Sequence, residues 1–319
     1  MTPAPSIPTA PLFIVLNAAS GHSDTEETSR AIAGELDRAG RAHEILRVED
    51  PEHLNKAAQD AVNQAREHDG IVIAAGGDGT LNTVAQAALG SGCQFGVIPQ
   101  GTFNYFGRTH GISSDTAEAT RALLTARVRP VQVGLVNDRV FLVNASVGLY
   151  PKLLEEREQQ TQRHGRSRLV ALWAALVSLW QGHRPMLITL EHEGKRREMH
   201  TLTLFVGNNR LQLEQVGLTE AAVVEDGKLV VVLVRPVPTL TLLWLALQGA
   251  LGTLGRARGV DHFSLTRLTV SSSSRRVRRM QVAIDGETSW MRTPLEIRIA
   301  PQPLFLLTPV DTVPAAAAA

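Results

Sequence analysis

Seven consecutive residues, Gly76-Gly77-Asp78-Gly79-Thr80-Leu81-Asn82, hold the most chemistry-bearing spacing in the chain. They follow the apolar run Ile71–Ala75, which reads as a buried strand, and they lead into a helical pattern. Three glycines in four positions let the backbone take positive φ and bring bare N–H groups against a ligand. Strand, glycine turn and helix N-terminus together bind phosphate through peptide dipoles. A carboxylate in such a turn repels phosphate unless a Mg²⁺ ion or an incoming hydroxyl stands between them. Asp78 therefore points to handling of a nucleoside triphosphate. The competing reading is a tight strand–helix turn closed by an Asx bond.

Other loops have the same look. Asn17-Ala18-Ala19-Ser20-Gly21 follows the first apolar run, and Gly101-Thr102-Phe103-Asn104-Tyr105-Phe106 follows the strand Phe95–Pro99. Asn144 lies in the run Phe141–Gly148. Asp226-Gly227-Lys228 leads into a strand, and Asp285-Gly286-Glu287 leaves one. An Asp-Gly pair is more often a hairpin turn than a site. It is the order of all five that is specific.

The elements that position these loops fall into two rhythms. Strands at Leu12–Leu16, His43–Val48, Ile71–Ala75 and Phe95–Pro99 alternate with helical patterns. A Ser23–Glu26 capping box opens the first helix, which stops at Gly40. Asp50-Pro51 caps the second, which ends at Gly70, and the third is expected from Leu81 to Leu89. This is the pattern of a parallel, helix-covered sheet with its ligand at the strand C-terminal ends. From about Val131 period-two alternation takes over, in Met186–Glu193, Arg197–Val206, Lys228–Val234, Ser264–Ser271, Arg279–Ile284 and Leu295–Ala300. Such strands read as an antiparallel sandwich or barrel, interrupted by apolar helices at Ser167–Gln181 and Thr239–Gly255. A boundary near residue 134 is expected.

Composition narrows the function classes. The one cysteine, Cys93, excludes a disulfide framework and a cysteine zinc site and fits a reducing cytoplasm. Only 4 of 32 basic residues are Lys, and no GxxxxGK[ST] occurs, which excludes a P-loop NTPase. No signal peptide or membrane span is expected. Net charge is +1, but residues 1–136 carry −5 and the remainder +6. A positive second half suits an anionic membrane surface or another polyanion; a chance surface distribution is the alternative. The apolar helices admit two readings, a lipid-lined cleft with Trp173, Trp180 and Trp244 at its mouth, or core packing. Arg275–Arg279 reads as a hairpin tip that could meet lipid headgroups.

With NxxSG at Asn17–Gly21, GGDGTLN at Gly76–Asn82, GTxNxF at Gly101–Phe106, Asp226-Gly227 and Asp285–Glu287, the chain resembles the diacylglycerol kinase catalytic-domain family over roughly residues 11–310. That family includes sphingosine, ceramide and bacterial lipid kinases. The resemblance implies a nucleotide-binding α/β domain over 11–134, similar to NAD kinases and phosphofructokinases, with a returning strand at about 302–312. It also implies a β-sandwich lipid-substrate domain over 135–301. By position, the backbone of Asn17, Ala18, Ala19, Ser20 and Gly21 and of Gly76 through Asn82 would wrap the ATP phosphates, with Thr102 adding a contact. Asp226 would hold Mg²⁺ with the carbonyls of Val223 and Lys228. Glu287 would accept the proton of the lipid hydroxyl. Asp78 is the rival base or metal ligand, and sequence leaves the two open.

Three departures stand out. Tyr105 replaces a frequent Asp, Ala18 a frequent Pro, and Arg47 stands at about the position of a Thr that contacts the nucleotide in relatives. The implied protein is an ATP- and Mg²⁺-dependent kinase of a diacylglycerol-like or sphingoid-like lipid, cytoplasmic and peripheral at the inner membrane surface. No nucleic-acid partner is expected, and a homodimer is left open. A kinase of NAD or another soluble alcohol, or a catalytically silent lipid-binding protein, are the alternatives.

Overall fold

The structure, a computed structural model, describes residues 10–18, 25–149, 185–192, 194–272 and 278–310. Ala19, Ser20 and Gly21, the start of the Ser23–Glu26 box, the Ser167–Gln181 helix with Trp173 and Trp180, and most of the Arg275–Arg279 tip lie outside the described residues. The chain forms two compact units, residues 1–133 with 300–319, and residues 134–299.

In the first unit, β1 (Leu12–Asn17), β2 (His43–Val48), β3 (Ile71–Gly76) and β4 (Gln94–Pro99) run parallel. β18 (Leu304–Thr308) lies parallel beside β4, and β5 (Arg127–Val131) closes the edge antiparallel to β18. The strand order is β2-β1-β3-β4-β18-β5. β1 and β3 are buried along their whole length, because helices cover both faces of a parallel sheet. Those helices are α1 (Thr25–Arg38), α2 (Leu54–Glu67), α3 (Asp78–Ala88) and α5 (Thr116–Thr125), with the short α4 at Tyr105–Thr109.

Two helix starts differ from the sequence expectation. Asp50 does cap, its side chain accepting from Glu52 N–H, but what it opens is a 3₁₀ turn over Pro51–His53 that runs into α2. More consequentially, α3 begins at Asp78, three residues before the expected Leu81, so the glycine turn is itself the first helical turn.

The second unit is a sandwich of two antiparallel six-stranded sheets. One has the order β10-β9-β14-β17-β6-β7, built from β6 (Gly134–Val136), β7 (Arg139–Phe141), β9 (Met186–His192), β10 (Lys195–Thr201), β14 (Arg267–Ser272) and β17 (Leu295–Ile299). The other has the order β13-β12-β11-β8-β15-β16, from β8 (Asn144–Gly148), β11 (Thr203–Gly207), β12 (Leu229–Val234), β13 (Val260–Leu265), β15 (Arg279–Ile284) and β16 (Glu287–Arg292). Alternate residues of both, among them Phe141, Ile188 and Val270 from the first and Leu204, Val231 and Val282 from the second, share one buried core.

Two stretches read from sequence as single strands, Arg197–Val206 and Ser264–Ser271, each break and change sheet. Leu202 separates β10 from β11, with the Thr201 hydroxyl donating to the carbonyls of Thr203 (2.7 Å) and Val234 (2.8 Å). Thr266 separates β13 from β14, and its carbonyl accepts from Ile299 N–H. Uninterrupted alternation hides such corners, since side chains keep facing the core on both sides of the bend. β12 reads as an apolar run because its other face is covered too. Val230 and Val232 pack under α6 (Arg210–Gln215) and the 3₁₀ turn Thr219–Val224. The Thr239–Gly255 helix is α7, Thr239–Ala250, followed by a separate 3₁₀ turn at Leu254–Arg256.

Candidate phosphate cradle and acceptor loops

In the first unit the strand-end loops are joined by short contacts. Asn17, at the end of β1, is buried and donates from Nδ2 to Thr80 Oγ1 at 2.9 Å, tying β1 to the first turn of α3. Gln100 N–H donates to Gly76 O at 2.8 Å, and Gly101 N–H to Asn104 Oδ1 at 2.8 Å. Asn104 itself is left-handed (φ 50°), a conformation Asn tolerates.

The glycines do not serve as the sequence suggested. Gly77 is extended (φ −77°, ψ 176°), and neither Gly76 nor Gly79 has positive φ. What Gly76 and Gly101 provide is clearance. A Cβ on Gly76 would stand 2.7 Å from Thr80 Oγ1, and one on Gly101 would stand 2.9 Å from Asn104 Oδ1 and 3.1 Å from Gly77 Cα. Two loops could not pass so closely with any side chain there.

The helix start also narrows the set of phosphate donors. Leu81 N–H is spent on Gly77 O at 3.0 Å, and its side chain is core. Asn82 lies deeper in the helix. Ala18 N–H is spent on Val48 O at 2.8 Å. The N–H groups of Asp78, Gly79 and Thr80 open α3, where a helix has no intrahelical acceptor for its first donors. Thr102 lies exposed on the neighbouring loop.

Asp78 does more than sit in the turn. Backbone N–H groups of Phe106, Tyr105 and Asn104, at the start of α4, bond to its carboxyl, while Oδ1 is buried with no hydrogen-bond partner among the described residues. Burial raises its pKa above the ordinary carboxylate value, and the three N–H bonds pull the other way without cancelling it. Beside it, the Phe103 and Tyr105 rings stack at 5.7 Å, with the Arg108 guanidinium 6.0 Å from the Tyr105 centroid. Tyr105 in the place of Asp thus makes an aromatic ledge. Arg47 donates to Ser29 Oγ at 2.9 Å, a contact to α1.

In the second unit the Asp285-Gly286-Glu287 turn divides its duties. Asp285 (φ 47°) and Gly286 (φ 93°) make the tight hairpin between β15 and β16. The Asp285 carboxylate is an anchor, accepting from the backbone N–H groups of Leu142 (2.7 Å), Val143 (2.9 Å) and Asn144 (2.9 Å). Glu287 opens β16 with an exposed side chain. Near the anchor, Asn144 donates to Gln212 Oε1 at 3.0 Å, while its Oδ1 and the Ser146 hydroxyl are buried with no partner among the described residues. These two residues lie in a motif visible in sequence, but the orphaned oxygens become apparent only when the strands are assembled.

Val223, Asp226 and Lys228 lie on one closed turn. The Val223 carbonyl accepts from Asp226 N–H (3.1 Å) and Lys228 N–H (3.3 Å), and Gly227 is left-handed at φ 74°. One carboxylate and two carbonyls are hard oxygen donors that fit Mg²⁺, at the expense of one of the long bonds at Val223.

Two family profiles match the chain, one on each unit, the second running on past residue 299 through β18 of the first unit. That of the diacylglycerol kinase catalytic domain matches residues 11–136, and that of the YegS C-terminal NAD kinase beta sandwich-like domain matches residues 154–308. Over residues 11–136 the chain is thus similar to the diacylglycerol kinase catalytic domain. It is 29% identical to the diacylglycerol kinase of Bacillus subtilis (strain 168) over 57% of this chain and 59% of that one. It is 34% identical to the diacylglycerol kinase of Staphylococcus haemolyticus over 42% and 41%. The chain thus spans about half the length of the curated relatives it matches. A solved diacylglycerol kinase structure from Bacillus anthracis str. Sterne shares the fold, with a TM-score of 0.66 over 94% of this chain and 96% of that one at 19% identity.

Proposed function

We propose that this protein transfers the γ-phosphoryl group of ATP to the hydroxyl of a diacylglycerol-like or sphingoid-like lipid. The observation that carries the reading is the cradle at the end of β3, where the first N–H groups of α3 lie beside a second loop drawn in by Asp78 and by glycine clearances. In the step, the lipid oxygen bonds to the γ-phosphorus, the bond from phosphorus to the β,γ-bridging oxygen breaks, and ADP leaves. The hydroxyl proton goes to Glu287. The N–H groups of Asp78, Gly79 and Thr80 hold the phosphates, with Thr102 and the loop at Asn17–Gly21 as further contacts. A divalent cation would supply neutralisation of phosphate charge, and Asp226 with the Val223 and Lys228 carbonyls would hold one structurally.

The test is incubation with γ-labelled ATP, Mg²⁺ and detergent-dispersed diacylglycerol or sphingoid base, followed by chloroform extraction. Label is expected in the organic phase. Label in the aqueous phase with NAD would replace the lipid acceptor by a soluble one, and no transfer to any acceptor would remove the kinase reading.

The cation role has its own measurement. Mg²⁺ should raise the Tm of the wild type, because a ligand that binds only the folded state stabilises it. Asp226→Ala should abolish that increment, and an increment of wild-type size in the variant would rule out Asp226 as a ligand.

A further inference from the structure

Helix α7 has no polar face. Leu242 and Leu245 are its buried side, with Leu242 packed near Leu202, Val234 and Val237. On the opposite side Leu240 (77% exposed), Trp244 (56%), Leu247 (47%) and Leu251 (66%) face solvent. At 3.6 residues per turn these four fall within about 60° of arc. They make one continuous stripe, which separates them from the scattered single apolar residues that any surface carries.

The charge around the stripe identifies its occupant. From Gly227 to Val260 there is no Asp or Glu, whereas Lys228, Arg235, Arg256 and Arg258 are present. Arg235 is paired with Asp261, by bonds of 2.6 and 2.7 Å. Arg256 and Arg258 are exposed at the end of and just after the 3₁₀ turn Leu254–Arg256 that follows the helix. A Leu/Trp face with arginines at its end matches a helix that lies in the plane of an anionic bilayer, apolar face down, indole at headgroup level and guanidinium groups among lipid phosphates. A second copy of the chain fits less well. One four-residue stripe falls far short of the roughly 20–30 residues a side of a standard protein interface.

We propose that α7 seats this protein on an anionic membrane surface through Leu240, Trp244, Leu247 and Leu251, with Arg256 and Arg258 meeting the headgroups. The purpose of such seating rests on the lipid-kinase reading, since a water-insoluble acceptor must be met at the bilayer, but the binding itself does not.

The experiment is flotation of the full chain with phosphatidylcholine vesicles, with and without a minority of phosphatidylglycerol. Two variants accompany it, the triple Leu240→Gln/Trp244→Gln/Leu247→Gln and the double Arg256→Gln/Arg258→Gln. Gln is a good helix former and the replaced side chains are exposed, so unchanged Tm is expected. The triple variant should lose at least about tenfold in partitioning onto anionic vesicles. The double variant should lose roughly tenfold on anionic vesicles and nothing on neutral ones. Should the triple variant fail to fold, the double variant carries the test.

Wild-type protein that stays off anionic vesicles, or a folded triple variant that binds like wild type, would overturn the proposal. So would a wild-type dimer that the triple variant makes monomeric without change in vesicle binding. Phosphorylation of a short-chain, water-soluble diacylglycerol separates the two readings. Vesicle binding without any lipid phosphorylation would sink the kinase reading and leave the docking face standing. Activity on the soluble lipid in a triple variant that no longer binds vesicles supports both.

Discussion

Asp78→Asn is expected to fold with a Tm at or above that of the wild type and to lose at least about 10²-fold in kcat. The stability half follows from the sign of the pKa shift. Burial raises the Asp78 pKa above its unfolded value, so the folded state favours the neutral carboxyl. A group shifted that way contributes most below its unfolded pKa, and the contribution is lost as pH rises through the folded value. At neutral pH the ionised side chain is therefore a cost, and a neutral isostere relieves it. Asn keeps a carbonyl oxygen to accept from the N–H groups of residues 104–106. The activity half follows from position, a charge beside the first donors of α3, where only a cation or an incoming hydroxyl makes a carboxylate compatible with phosphate. Calorimetry and steady-state kinetics on the same preparation decide it. A variant with wild-type kcat would reduce Asp78 to a loop clasp.

Glu287→Gln should leave ATP and lipid binding nearly intact and slow single-turnover phosphoryl transfer by about 10²–10⁴-fold. The structure sharpens this expectation by separating Glu287 from its neighbours. Asp285 spends its carboxylate on three backbone N–H groups, and Gly286 supplies a left-handed turn. Both are explained by the hairpin alone. Glu287 is exposed at the first position of β16. Asp285→Asn serves as the contrasting variant. It should lower Tm, because a charge-assisted anchor weakens, whereas Glu287→Gln should not. A loss smaller than about tenfold in Glu287→Gln at saturating ATP and lipid would move the base role to Asp78 or to water.

The parallel sheet and its loops are legible because β1, β3 and β4 are short apolar runs ending at Asn17, Gly76 and Pro99. Period and punctuation agree there. Sequence placed the α3 start three residues late because Gly-Asp-Gly disfavours helix locally, and the propensity rule lost to tertiary contact with the Gly101 loop. The same contact explains why positive φ was the wrong reason for those glycines. A clearance of 2.7–3.1 Å involves atoms up to 24 residues apart, which no local rule can register. β16 went unmarked because Thr288, Ser289 and Trp290 do not alternate cleanly on an edge strand. The roles of Asp78 and Glu287 were open in sequence for a different reason. Both are carboxylates in glycine turns, and only the surroundings distinguish a desolvated one from an exposed one.

The place of β18 has a consequence for how the protein is made. Leu304–Thr308 lies between β4 and β5, so β5 joins the sheet only through a strand encoded near the end of the chain. Residues 134–299 are synthesised in the interval. At about 5–20 residues per second that interval is on the order of ten to thirty seconds. Throughout it, the apolar edge of β4 has no strand beside it. The ribosome thus finishes residues 134–299 before the strand that joins β5 to β4 emerges.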